Sequence, residues 1–321
     1  MPTRIANIDR VVVVTGVSSG IGYGITKYLI NQGCHVFGSV RKEEDAKRLQ
    51  AECGESFSVL KFDVTDEEAV QKAAAMVAIC MNGHCLLALV NNAGIHVGLD
   101  ALADQPVEKL RKQLEVNLVA QLIVTKAFLP QLGLDLTLMG KPGKIVNMSS
   151  VSGSYTLPFS SAYSASKAGL NALSEGMRRE LKPFGIGVVI IAPGPIRTKI
   201  WDDLIRNAEP TADSGSLFAE HVQVAHALSV TEASKRSWFW EPEVIGKQVW
   251  KVLNRRFPPT HVVVTPTFWL TWFGPTFFPG RLVDIEISRR FKLGRRHKRG
   301  AAPASVKEAA CIGHTEGKLR P

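Results

Sequence analysis

The sequence predicts an α/β protein: one doubly wound parallel sheet of about seven strands, covered by helices on both faces. Three observations predict it. Short runs rich in Val and Ile alternate with segments of helical length, as repeated strand–helix–strand units do. Most runs are apolar without a break (VVVV, LLALV, GVVIIA), which suits strands buried on both sides rather than on one. A glycine-rich turn follows the first run directly and opens the first helical segment.

Strands are expected near 11–15, 35–40, 57–63, 86–91, 144–149, 187–192 and 261–265. The first helix runs from about Gly20 to Gln32 and stops at Gly33, a residue suited to the left-handed position after a helix. Thr65 or Asp66 caps the third helix, which continues through EEAVQKAAAMVAI. Residues 106–129 form a long helix closed by Pro130, and 161–182 another closed by Pro183, since a proline inside a helix clashes with the preceding turn. Segment 199–240 loses this regularity. It mixes Trp201, Pro210, Phe218, Trp238, Phe239 and Trp240 with Ser, Asp and Gly, and reads as an inserted lid. Residues 1–293 then form one domain with its lid, and the small, polar, basic stretch 294–321 stays unpacked.

With 45% apolar, 21% charged and 7% aromatic residues, the 321-residue chain is neither disordered, collagenous nor fibrous. Its net charge of +10 is uneven: residues 289–321 hold ten basic and two acidic side chains, leaving the first 288 with 29 − 27 = +2. A solvated tail is the first reading of RRFKLGRRHKRG; attraction to anionic lipid is the second, because FWLTWFGPTFF at 268–278 lies just upstream. Nucleic acid is not an expected partner, as nothing else interleaves bases with stacking aromatics. The five cysteines (Cys34, Cys53, Cys80, Cys85, Cys311) are too few and odd in number for a disulfide framework, which points to a reducing, cytoplasmic compartment. Cys80, His84 and Cys85 lack a second pair at zinc-like spacing, so no metal is expected. Val11 to Val14 give way to Thr15 and Gly16, too short a run for a secretory signal. Pro266, Gly274, Pro275 and Pro279 interrupt His261–Pro279, which at most lies on a bilayer.

The glycine turn is Thr15-Gly16-Val17-Ser18-Ser19-Gly20-Ile21-Gly22. Glycines there allow a tight bend and close backbone approach to a pyrophosphate, whose charge the helix N-terminus stabilises. Tyr163 and Lys167 stand at i, i+4 on one helix face, with Ser150 thirteen residues before the tyrosine. A tyrosine of ordinary pKa near 10 is a poor base at neutral pH, but a neighbouring ammonium favours its phenolate.

With its TGxxxGxG turn, Asn91-Asn92-Ala93-Gly94, Ser150, Tyr-x-x-x-Lys and Pro193-Gly194, the chain resembles the short-chain dehydrogenase/reductase family, of the Rossmann type, over about residues 10–260. The stretch RRELKPFGIGVVIIAPGPIRTKIW is most similar to its retinol, steroid and 3-hydroxybutyrate dehydrogenase branch. The resemblance implies hydride transfer between a nicotinamide cofactor and a small carbonyl or alcohol, and a homo-oligomer. It further implies that Thr15, Gly16, Ser18, Ser19, Gly20, Ile21 and Gly22 cradle the pyrophosphate and that Asp63, with Val64 beside it, meets the adenine. Asn91, Ala93 and Gly94 would lie by the adenosine ribose, and Pro193, Gly194, Ile196 and Thr198 would hold the nicotinamide carboxamide. Ser150 would bond the substrate oxygen, Tyr163 exchange its proton, and Lys167 bind the ribose. Asn117, in EVNLVAQ, matches the family's asparagine that holds a water and relays protons; a buried structural asparagine is the alternative. The neighbouring Ser149 reads as structural, and the long 131–143 connection departs from the family pattern.

The second strand ends without the acid that would bind a ribose 2′-hydroxyl; Arg41 and Lys42 follow Val40 instead. A guanidinium pairs with a 2′-phosphate, so NADP(H) is favoured over NAD(H), with a solvated Arg41 as the alternative and Ser19 lacking the base some relatives place there. The aromatics at 199–240 and 268–278 suggest an apolar cavity and a lipophilic substrate, retinoid, steroid or long-chain, unless they fill a core or subunit interface. The rivals are a 3-oxoacyl thioester reductase and a non-catalytic NADP-binding scaffold.

Overall fold

The computed structural model describes residue 5 and residues 7–198, 216–234, 239–266 and 268–294. Strands β1 (Val11–Val14), β2 (His35–Val40), β3 (Phe57–Lys61), β4 (Ala88–Asn91), β5 (Lys144–Met148), β6 (Gly187–Pro193) and β7 (His261–Val264) lie where the apolar runs predict them. They form one sheet, β3-β2-β1-β4-β5-β6-β7, in which every neighbouring pair is parallel. The strand order reverses between β1 and β4, and a doubly wound sheet binds ligands in the crevice at such a reversal.

The helices are α1 (Gly20–Asn31), α2 (Glu43–Cys53), α3 (Glu67–Met81), α4 (Val107–Leu114), α5 (Ala120–Phe128), α6 (Ser161–Glu180), α7 (Ala219–Ser234), α8 (Glu243–Asn254), α9 (Gly274–Phe277) and α10 (Gly280–Arg290). The four valines of β1 divide between two cores. Val12 and Val14 pack with Ile25, Leu29, Leu49, Ile245 and Val249 from α1, α2 and α8. Val11 and Val13 pack with Val70, Val77, Val124 and Phe128 from α3 and α5 on the opposite face. With both faces apolar, alternation cannot fix the strand register. Gly38 helps to fix it, because a Cβ there would lie 2.4 Å from the Phe57 ring on β3.

Helix α1 ends in two hydrogen bonds, Gly33 N–H to Ile30 O at 2.9 Å and Cys34 N–H to Leu29 O at 3.0 Å, with Gly33 at φ 78°. This is the Schellman arrangement, and its left-handed residue favours glycine. Asp66 caps α3 by accepting from Ala69 N–H at 3.0 Å, whereas Thr65 donates its hydroxyl to Asp63 at 2.8 Å. The expected single helix over 106–129 is instead α4 and α5 joined by a π-turn, Glu115–Val119. The helix expected to reach residue 182 ends at Glu180, and Pro183 lies in a 3-10 turn, Lys182–Phe184.

A third, smaller apolar cluster joins Leu99, Ala101, Phe159, Ala225 and Phe291, all from segments that follow the C-terminal ends of strands. Part of the expected lid, α7, contributes Ala225 to it. Trp201, Pro210 and Trp238 of that lid, and the tail beyond Gly294 with Cys311, lie outside the described residues. Cys34, Cys53, Cys80 and Cys85 are free thiols, and among the described residues no three His, Cys, Asp or Glu side chains gather as a metal site requires.

Candidate active site

The glycine turn leaves β1 and is welded to the exit of β4. Thr15 Oγ1 accepts from Asn92 N–H at 2.9 Å and Ala93 N–H at 3.0 Å, while the Asn92 amide donates to Thr15 O and Gly16 O. Gly16 has φ 68° and Gly20 φ 59°, backbone values that side chains disfavour. Space is equally tight: a Cβ on Gly16 would lie 2.9 Å from Ala93 Cα, and one on Gly22 would lie 2.3 Å from Gly16 O. A Cβ on Gly20 would come within 3.1 Å of Thr198 Cγ2, so the segment leaving β6 closes over the turn. Ser19, at the N-cap of α1, makes no capping bond with its side chain among the described residues. Backbone N–H groups at a helix N-terminus, held open by glycines, fit a pyrophosphate.

Beside this cradle stand the reactive candidates. Ser150 stands beside the Tyr163 phenol, and it accepts from Ser152 N–H at 3.1 Å, opening the 3-10 turn after β5. Lys167 Nζ lies 5.8 Å from the centre of the Tyr163 ring and donates to Met148 O at 2.9 Å. Burial raises the Tyr163 phenol above its usual range, and the neighbouring Ser150 only partly opposes this. Burial also lowers the Lys167 ammonium, to about 8. The Lys167 ammonium is turned to the Met148 carbonyl and is not among the groups that shift the phenol. Ser149, whose hydroxyl donates to Lys167 O at 3.4 Å, has the structural place expected of it.

Asn117 is fully buried, with its amide engaged on both sides: Oδ1 accepts from Ile95 N–H at 2.9 Å, and Nδ2 donates to Ile95 O at 3.0 Å and Ser166 Oγ at 3.1 Å. A Cβ on Gly94 would meet Asn117 Oδ1 at 3.2 Å and Lys167 Nζ at 3.7 Å, so the three sites converge. Asn117 belongs to a larger seam. Gln113, Asn117, Gln121 and Thr125 recur every four residues and bond in turn to Val97 N–H, Ile95, Ala93 O and the Asn91 amide. The Asn91 side chain also donates to Asn147 Oδ1 at 2.8 Å, so its amide serves the interior and only its backbone borders the cradle.

His96, not singled out by its residue type, stacks on Tyr163 with ring centroids 4.8 Å apart. Its Nδ1 accepts from Gly98 N–H at 3.2 Å, which leaves Nε2 as the N–H that donates to Ser160 Oγ at 3.0 Å. Burial lowers this imidazole to about 4, with Asp100 weakly opposing, so it is neutral at physiological pH. Its place two residues beyond Gly94, on the loop leaving β4, was the available signal.

Arg41 follows β2, largely exposed, with its guanidinium 3.7 Å from Asp63. Burial would raise the Asp63 carboxyl, but the Thr65 N–H and hydroxyl, then Arg41, hold it below its ordinary value. Arg48, also unanticipated, reaches from α2 to donate to Ser18 O at 2.7 Å. Beyond β6, Gly194 N–H donates to Val264 O at 2.9 Å, and Ile196 bridges to Trp240. Val64 is buried, as is Ile196.

The model of the short chain dehydrogenase family matches residues 10–209 of this sequence. The chain belongs to the short-chain dehydrogenase/reductase family. It is a dehydrogenase/reductase acting on alcohol or carbonyl groups. This short-chain dehydrogenase is 35% identical over 277 residues to the NADPH-dependent 3-dehydrocapnine reductase of Ornithobacterium rhinotracheale, covering 86% of this chain and 95% of that one. It is 38% identical over 205 residues to estradiol 17-beta-dehydrogenase 2 of Mus musculus, covering 61% of this chain and 52% of the relative, about half its length. The crystal structure of a short-chain dehydrogenase from Streptomyces avermitilis matches with a TM-score of 0.69 at 26% identity, over 90% of this chain and 100% of that one.

Proposed function

We propose that this enzyme exchanges a hydride between NADP(H) and a carbonyl or alcohol carbon of a lipophilic small molecule, with Tyr163 as the proton carrier. When bound, the nicotinamide ring supplies or accepts the hydride. The chain's own side chains do the rest. Tyr163 donates a proton to the substrate oxygen in reduction and removes it in oxidation. Ser150, beside Tyr163, donates to the same oxygen as negative charge develops. Lys167 binds the ribose hydroxyls and brings its positive charge to bear on the phenol. Asn117, with its amide taken up by Ile95 and Ser166, serves in this reading as a positioning residue, the structural alternative.

The convergence of Ser150 and Lys167 on Tyr163 is the observation that carries this reading. Its test is NADPH oxidation by Tyr163→Phe across retinal, steroid ketones and long-chain aldehydes. We expect turnover to fall by about 10²–10⁴-fold with NADPH binding retained. Undiminished turnover would remove the phenol from the mechanism.

The cofactor choice rests on Arg41 and the absence of an acid at the end of β2, and the NADPH-dependent reductase relative supports it. Arg41→Ala should raise KM for NADPH about tenfold and leave KM for NADH unmoved, the worth of one charge-assisted bond. A wild-type preference for NADH would refute the role. The lipophilic substrate is supported by the steroid in the name of the Mus musculus relative. Fast turnover of acyl thioesters alone would favour the 3-oxoacyl reductase instead. We place the whole reaction in a domain of residues 1–293 with its lid at 199–240.

A further inference from the structure

Six large apolar side chains stand exposed between residues 268 and 285: Phe268, Trp269, Phe277, Phe278, Leu282 and Ile285. Trp269 is 68% exposed and Phe278 61%, which is far from the core role an aromatic run usually has. The patch is nonetheless firmly built. Trp269 and Phe273 rings lie 4.7 Å apart, and Phe273 and Phe277 4.9 Å. Trp272 Nε1 donates to Ser154 Oγ at 3.2 Å, and the Thr265 and Thr271 hydroxyls share a bond of 2.8 Å, which fixes the segment to the body. On α10, Leu282 and Ile285 share a face with Arg281 and Arg289, both exposed.

We propose that this face docks on an anionic lipid bilayer, with the rings and the α10 aliphatics entering the interface and the flanking bases holding lipid headgroups. Charge complementarity selects that occupant. From 281 to 292 the segment has four basic residues (Arg281, Arg289, Arg290, Lys292) against Asp284 and Glu286, and the sequence continues with Arg295, Arg296, Lys298 and Arg299. A second copy in a two-fold contact would set these like charges against themselves, whereas anionic lipid neutralises them. Exposed Trp and Phe beside Lys and Arg is also the composition that settles at a membrane interface. Among the described residues no helix is long and apolar enough to cross a membrane.

The docking face borders the candidate site. Ser154, bonded to Trp272, directly follows the 3-10 turn that Ser150 opens, and Phe291 after α10 packs on Phe159 at 6.4 Å between the rings. Uptake of substrate from the bilayer is then a short path, a consequence that rests on the lipophilic reading; the docking face itself does not.

The test is flotation of the full chain with vesicles of phosphatidylcholine alone and of phosphatidylcholine mixed with phosphatidylserine. We expect binding to the anionic vesicles that weakens as salt rises. Arg281→Gln with Arg289→Gln should weaken it by about thirtyfold, roughly fivefold for each charge removed. Phe278→Ser with Leu282→Ser should also weaken it, by about tenfold or more. Retained NADPH binding and an unchanged melting temperature show that each variant is folded. No flotation of the wild type, or flotation that both variants leave intact, overturns the proposal. So does lipid-free self-association that the same variants abolish, which would make a second copy the occupant. These outcomes leave Tyr163 turnover untouched and so fail or succeed separately from the catalytic reading.

Discussion

Lys167 shows how a reactive side chain can be a liability to the fold. Its ammonium is 5% exposed, and burial lowers its pKa from 10.5 to about 8. A depressed folded pKa means the unfolded chain holds the proton more tightly, so stability is fullest above 10.5 and falls as pH drops through 8. At pH 7 the charge is buried at a cost. Lys167→Met should therefore raise stability by about 1–3 kcal/mol while abolishing turnover, and the gain should vanish above pH 10.5. Thermal melts of both proteins across pH 7–11 check this; a destabilised variant at pH 7 would contradict it. Of the residues around this lysine, Tyr163 and Ser150 were legible through the motifs that carry the family resemblance. His96 was not, because a histidine two residues after a glycine has no pattern of its own, and only the fold lays it on the tyrosine ring.

At the level of single elements, the π-turn between α4 and α5 is the largest departure from what periodicity predicts. A regular helix has 3.6 residues per turn, so a four-residue repeat drifts by about 40° at each step. Gln113, Asn117, Gln121 and Thr125 nevertheless all meet the straight run from Asn91 to Val97. A wider turn at Glu115–Val119 takes up some of that drift, which accounts for its place in the middle of the seam. Apolar periodicity marks the helix, but the four-residue polar repeat becomes meaningful only once β4 and its exit loop lie alongside. Gln113→Ala should leave Val97 N–H without its partner, and Ile95 O with the Asn117 amide alone, and cost about 1–3 kcal/mol. Because the same loop holds His96 against Tyr163, kcat should fall with KM for NADPH nearly unchanged. Equilibrium denaturation and steady-state kinetics measure the two effects, and an unaltered kcat would detach the seam from the site.

Across the whole molecule, one buried and two partly buried histidines give the protein a common acid response. His35, His96 and His261 are all lowered by burial, His96 to about 4, with Glu175 partly opposing at His261. Each is neutral in the fold and protonates more readily when unfolded, so stability is full above about 6.5 and is lost as pH falls towards 4. His96 alone should account for on the order of 2–3 kcal/mol by pH 4. Urea midpoints should fall between pH 6.5 and 4 in the wild type and fall less in His96→Phe; parallel curves would reject the assignment.

The seven strands, their parallel pairing and the glycine turn were determined by the sequence alone, because they depend on local apolar runs and on glycines that nothing larger could replace. Tyr163, Lys167 and Ser150 were proposed from the motifs that carry the family resemblance. What tertiary structure decided is where polar side chains spend their hydrogen bonds. It set Asn117 and Asn91 to holding backbone and neighbouring amides, stacked His96 on Tyr163, turned Lys167 to Met148, and left Trp269 and Phe278 exposed. A hydrogen bond needs its partner within about 3 Å, and a chain folded across itself brings such partners from residues far apart in sequence, which no local pattern records.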